Sequence, residues 1–133
     1  MIKRVDHVGI AVKSLDAIKK MYREVFNMEP HFEEVVEEQK VRVAGYKLGE
    51  TNLEYLEPLD DSSPISGFLE KRGEGLHHIA WNVENIQDVL NRMKSQGLRL
   101  IDEEPRVGAE GKLIAFVHPK SMNGVLLELS QDV

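Results

Sequence analysis

Four side chains in this sequence have the types and the spacing of a metal centre. His7 and His78 stand 71 positions apart, and Glu54 and Glu128 stand 74 apart, each pair at matching places in a chain that repeats itself. The glutamates interrupt apolar runs, Leu53-Glu54-Tyr55 and Leu127-Glu128-Leu129. A carboxylate inside an apolar strand is costly unless it is paired, hydrogen-bonded or bound to a cation. Two imidazoles and two carboxylates on one internal surface would explain one another through a divalent metal. The competing reading is two unrelated Glu–His pairs, since a lone strand histidine is more often a hydrogen-bonded structural residue than a ligand. Cysteine is absent, so disulfides, thiolate metal sites and cysteine nucleophiles are excluded, and any metal must sit among imidazoles and carboxylates.

The elements that position these residues come from an internal duplication. The stretch DHVGIAVKSLDAIKKMYREVFNM from Asp6 aligns without gaps on HHIAWNVENIQDVLNRMKSQGLR from His77. Each copy predicts a strand, then a helix, then further strands. Ile2 to Val12 alternates with period two, while Leu15, Ile18, Met21, Tyr22, Val25 and Phe26 recur at three and four, with Ser14 as N-cap and Asn27 as end. In the second copy Leu76 to Val83 is the strand, and Ile86, Val89, Leu90 and Met93 form the helical stripe, closed at Gly97. Strands follow at Val41 to Leu48 and Thr51 to Glu57, then at Ile114 to His118 and Val125 to Ser130. Between the copies, Pro58 to Gly75 reads as a linker in which Ser63-Pro64 opens a short helix through Leu69. The expected organisation is one domain over 1–133: module 1 at about 1–57, linker at about 58–75, module 2 at about 76–133.

Alternation assigns the faces. Val8, Ile10 and Val12 suit contact with a helix, leaving His7 among the small residues Gly9 and Ala11; Ile79, Trp81 and Val83 do the same, leaving His78 with Ala80 and Asn82. Glu54 and Glu128 point away from the helices by the same rule. His77 falls on the helix side and is rejected as a ligand, while His31 and His118 sit beside prolines in turn-like segments. The run Glu33, Glu34, Glu37, Glu38 reads as a solvated acidic loop.

The composition limits the partners. A formal charge of −6 argues against nucleic acid or an anionic membrane as partner, and 41% hydrophobic with 30% charged residues is the balance of a globular chain rather than a disordered one. No apolar stretch approaches the ~18 residues of a membrane helix, so a cytoplasmic protein is expected. Neither a P-loop nor a dinucleotide glycine fingerprint is present.

The blocks DHVGIAV, SPISGFLEKRGEGLHHIAW, EPRVGAEGK and HPKSMNGVLLEL, in that order, resemble the methylmalonyl-CoA epimerase family of the vicinal oxygen chelate superfamily over nearly the whole chain. The resemblance implies an α+β fold in which two repeated βαβββ modules form a curved mixed sheet around a metal-binding cleft. It places the metal ligands at His7, Glu54, His78 and Glu128, the same four reached from the residues; the second is Gln in some members. It implies an acyl-CoA substrate, a homodimer and a divalent cofactor, cobalt foremost, with nickel, manganese and zinc chemically admissible.

The implied activity interconverts the (R) and (S) forms of methylmalonyl-CoA through a metal-stabilised enolate. Glu128 is the first candidate for moving the α proton. A second catalytic carboxylate used by some members aligns with Val43, which carries no proton, so the second acid/base is unassigned. Arg72, Arg106, Lys112 and Lys120 lie where CoA phosphates could be met, although exposed cations are usually just solvated, and Gly108 and Gly111 would let the loop between Glu104 and Lys112 hinge. Two other readings share the fold: a glyoxalase I, with the same His/Glu/His/Glu set, and a metal-free small-molecule-binding protein.

Overall fold

The computed structural model describes all residues, 1–133. The elements in chain order are β1 (Ile2–Ala11), α1 (Leu15–Phe26), β2 (Phe32–Val36), β3 (Val41–Leu48), β4 (Thr51–Pro58), α2 (Pro64–Arg72), β5 (Gly75–Val83), α3 (Ile86–Ser95), β6 (Arg106–Val107), β7 (Leu113–Val117) and β8 (Leu127–Gln131). Both copies of the duplicated sequence are βαβββ. None of the helices is long and apolar enough to cross a membrane.

The chain packs as two compact units: Met1–His7 with His78–Val133, and Val8–His77. In the second, the strand order is β2-β3-β4-β1, with β2, β3 and β4 antiparallel. In the first it is β1-β5-β8-β7-β6, with β5 and β8 parallel and β7 antiparallel to both β8 and β6.

The helices begin where short polar side chains can satisfy their first N–H groups. Ser14 Oγ accepts from Ala17 N–H at 3.1 Å, and Asn85, its repeat equivalent, accepts from Asp88 N–H at 3.0 Å. Asn27 ends α1 in the left-handed region at φ 55°, and Gly97 at φ 76° follows the end of α3. Helices α1 and α3 each lay their stripe on the sheet face of their own unit: Leu15 and Tyr22 against Val12, Ala44, Tyr46 and Tyr55, and Ile86 and Leu90 against Ala115, Val117, Leu127 and Leu129.

Three strands depart from the residue-level expectation. Glu33 and Glu34 lie on β2, not in a loop, paired with Ala44 and Val43 of β3. Phe-Glu-Glu-Val-Val lacks a clean two-residue period, and backbone pairing to β3 overrides that weak local signal. Strand β6 is only two residues long and has no periodicity to detect. The last strand starts at Leu127, because Asn123 and Gly124 turn at φ 59° and 85° and leave Val125 outside the ladder.

The core of Val8–His77 contains three phenols in contact, Tyr22 stacked on Tyr46 and Tyr55 edge-on to both. Tyr22 lies 3.9 Å from Tyr46, nearly parallel at 17°, and its hydroxyl is 2.7 Å from that of Tyr55. Burial pushes the Tyr46 and Tyr55 phenols above their ordinary value. The unfolded chain, with phenols near ~10, therefore ionises first in alkali, so the stability these groups contribute is intact below pH ~10 and falls as pH rises beyond it. The absorbance change of the Tyr46 and Tyr55 phenols at 295 nm is expected to accompany loss of far-UV circular dichroism; those two phenols titrating near pH ~10 in a folded protein would contradict this.

Candidate functional site

The chemistry of the first unit is concentrated on one face of β1, β5 and β8. Leu127 and Leu129 enter the core under α3, so alternation sends Glu128 to the opposite face. There it is paired in register with Ala80 of β5 and Phe116 of β7, and Ala80, fully buried and small, leaves room for the carboxylate. His78 shares that face of β5, its ring edge-on to Phe116 at 5.6 Å.

The structure brings His7, His78 and Glu128 together. His7 Nε2 is 3.0 Å from His78 Nε2, and the Glu128 oxygens are 3.3 Å and 3.2 Å from those two nitrogens. All three residues are buried, at 5, 4 and 3% exposure. Burial alone would raise the Glu128 carboxyl, but the His7 and His78 imidazoles beside it carry it well below the ordinary carboxylate range, so it is ionised at neutral pH.

This donor set fits a divalent cation. His7 Nδ1 is 2.7 Å from Asp6 Oδ2 and donates its proton there, so in the neutral ring Nε2 carries a lone pair. That lone pair faces a carboxylate and a second imidazole nitrogen, an arrangement that is repulsive until a proton or a cation stands among them. Two nitrogens each ~2.1 Å from one ion and at roughly right angles are ~3 Å apart, which matches the spacing found. Imidazole and carboxylate donors suit zinc and its first-row neighbours.

Glu54 belongs to the other unit, on β4, 4% exposed, opposite Gly45 of β3. Its neighbours Leu53 and Tyr55 pack in the α1 core, so it too is turned to the opposite face. Val43 is 2% exposed and opposite Leu56 and Glu34. His77 packs edge-on against Phe68 of α2, with ring centroids 5.0 Å apart. His118 accepts a hydrogen bond from Lys120 N–H at 3.0 Å.

Among the four cations at the expected pocket border, Arg72 lies over the Phe68 ring at 5.8 Å and Arg106 is 3.3 Å from Asp102. Lys120 is exposed. Lys112 is turned inward, 3.0 Å from Asp6 Oδ1. Asp6 is the site-adjacent residue that strand alternation hides, because a residue next to His7 is expected on the other face. The signal that could have found it is the broken repeat: a charged residue within the strand, at the position where the second copy has His77.

Residues 6–116 match the family model of the Glyoxalase/Bleomycin resistance protein/Dioxygenase superfamily. The chain belongs to this superfamily, and its α+β fold of two repeated modules is the superfamily's. At the level of particular proteins, it is 42% identical to the ethylmalonyl-CoA/methylmalonyl-CoA epimerase of Cereibacter sphaeroides, over 98% of this chain and 99% of the relative. The crystal structure of methylmalonyl-CoA epimerase from Mycobacterium tuberculosis superposes with a TM-score of 0.93 at 36% identity, covering 99% of this chain and 89% of that one. A methylmalonyl-CoA epimerase in complex with methylmalonyl-CoA and NH4+ gives 0.94 at 38% identity, covering 100% and 96%.

Proposed function

We propose that this chain interconverts (R)- and (S)-methylmalonyl-CoA. The observation that carries the reading is the convergence of His7 Nε2, His78 Nε2 and the Glu128 carboxylate within 3.3 Å of one another, in a chain similar from end to end to epimerases acting on that substrate.

His7, His78 and Glu128 hold a divalent cation, and Glu54 completes the set. The fourth place rests on the family's ligand pattern and on the cost of burying a carboxylate inside an apolar strand. The ion proposed is cobalt. Bound there, such an ion would supply Lewis acidity that lowers the cost of the charge developing when the α proton leaves.

The protein's own part is proton transfer and exclusion of water. Glu128, ionised at neutral pH, accepts the α proton on one of its oxygens. Inversion requires return of a proton to the other face, and Val43 cannot supply it, so that proton comes from water or from another strand. The loop containing Gly108 and Gly111 is short and bonded across its base, Gly108 N–H to Lys112 O at 2.9 Å, which suits a cover over the reacting carbon.

Incubation of cobalt-loaded protein with (S)-methylmalonyl-CoA in deuterated water is expected to place deuterium at the α carbon and yield the (R) form. Absence of exchange in a folded, metallated sample, or turnover instead of the glutathione hemithioacetal of methylglyoxal, would overturn this function.

A further inference from the structure

We infer that Asp6 is a positioning residue for the metal centre, holding His7 in the tautomer that can bind a cation, and that Lys112 holds Asp6 in the orientation this requires. The inference rests on the metal site proposed above.

Asp6 is 2% exposed and both of its oxygens are engaged. Oδ2 is 2.7 Å from His7 Nδ1. Oδ1 is 3.0 Å from Lys112 Nζ and 3.5 Å from an Arg4 guanidinium nitrogen. A neutral imidazole has a single N–H, and a carboxylate can only accept, so this contact fixes the proton on Nδ1 and leaves the lone pair on Nε2. Nε2 is the atom that faces His78 and Glu128. An outer carboxylate that orients a metal-binding histidine in this way raises its basicity and typically governs affinity by 10- to 100-fold.

Lys112 reaches Asp6 from the end of a tight loop in which Glu110 and Gly111 are left-handed, at φ 57° and 70°. Its ammonium is also 3.7 Å from Asp132, which Arg4 approaches at 3.3 Å and Asn82 at 3.2 Å. Two cations and two carboxylates thus lock the outer side of His7. At the position equivalent to Asp6 the second copy has His77, whose ring packs edge-on against Phe68. His78 packs edge-on against Phe116.

The role makes a prediction opposite to that of a merely structural one. In Asp6→Asn the amide oxygen is drawn to the Lys112 ammonium, so the NH2 group faces His7 Nδ1 and drives the proton to Nε2. The isosteric Asp6→Asn is therefore expected to lose at least as much Co2+ affinity as the truncation Asp6→Ala, each by about 10- to 100-fold in competition with a chromophoric chelator. Lys112→Met is expected to lose roughly threefold, a fraction of that outer-carboxylate effect. The visible bands of bound Co2+ should shift in Asp6→Ala. Thermal melts of the metal-free variants establish that each is folded, and if Asp6→Ala does not fold, Asp6→Asn and Lys112→Met decide. Wild-type affinity and unchanged bands in Asp6→Asn would overturn the inference while leaving the metal site intact. Failure of the wild-type protein to bind Co2+ would overturn the metal site and this inference with it.

Discussion

Glu128→Gln is expected to reduce epimerisation by about 10²- to 10⁴-fold even at saturating metal. The substitution keeps the side chain's shape and removes two properties at once. An amide cannot accept the α proton, and its NH2 group would face the imidazole nitrogens now 3.2 Å and 3.3 Å from the carboxylate oxygens. Metal affinity therefore falls as well. The two losses separate in a titration: the part of the deficit that added Co2+ restores belongs to metal binding, and the part that persists belongs to proton transfer. Turnover fully recovered at high Co2+ would remove Glu128 from proton transfer and leave it a ligand only.

Removal of the metal is the second large effect. Prolonged dialysis against a chelator is expected to abolish turnover, and addition of Co2+ to restore it. The same treatment should lower stability, because a ligand that binds only the folded state stabilises it by RT ln(1 + [L]/Kd), about 4 kcal/mol at a thousandfold excess over Kd. For a domain of this size that corresponds to a melting temperature roughly 15 °C lower in the chelated protein. The loss falls on a buried cluster in which one carboxylate and two imidazoles face one another at 3.0 to 3.3 Å. A chelated sample with undiminished turnover and an unchanged melt would mean that this cluster is a hydrogen-bonded structural group.

Much of this arrangement was legible in the sequence because it is written twice. Ser14 and Asn85 cap equivalent helices, and Leu53-Glu54-Tyr55 and Leu127-Glu128-Leu129 place their carboxylates by one alternation rule. In the first unit, burial of Leu127 and Leu129 beneath α3 leaves Glu128 a single face, the one His78 occupies. Features without a repeat or a period were not legible. Strand β2 carries adjacent glutamates and forms through its backbone pairing to β3, and β6 is too short to have a pattern. Asp6 is the instructive case: alternation assigns it away from His7, whereas the side chain reaches back to the ring, and its cation, Lys112, is 106 residues distant in sequence. Electrostatic partners brought together from so far apart leave no local trace.

The proposed metal centre is one divalent cation held by His7, His78 and Glu128, with Glu54 as its fourth ligand. Anomalous scattering at the cobalt edge from crystals of the Co2+-loaded protein tests it most directly. A single strong peak within coordination distance of His7 Nε2, His78 Nε2 and both carboxylates is the predicted result. A peak bound elsewhere, or the two histidines and Glu128 bonded to one another with no peak among them in metal-saturated crystals, would contradict it.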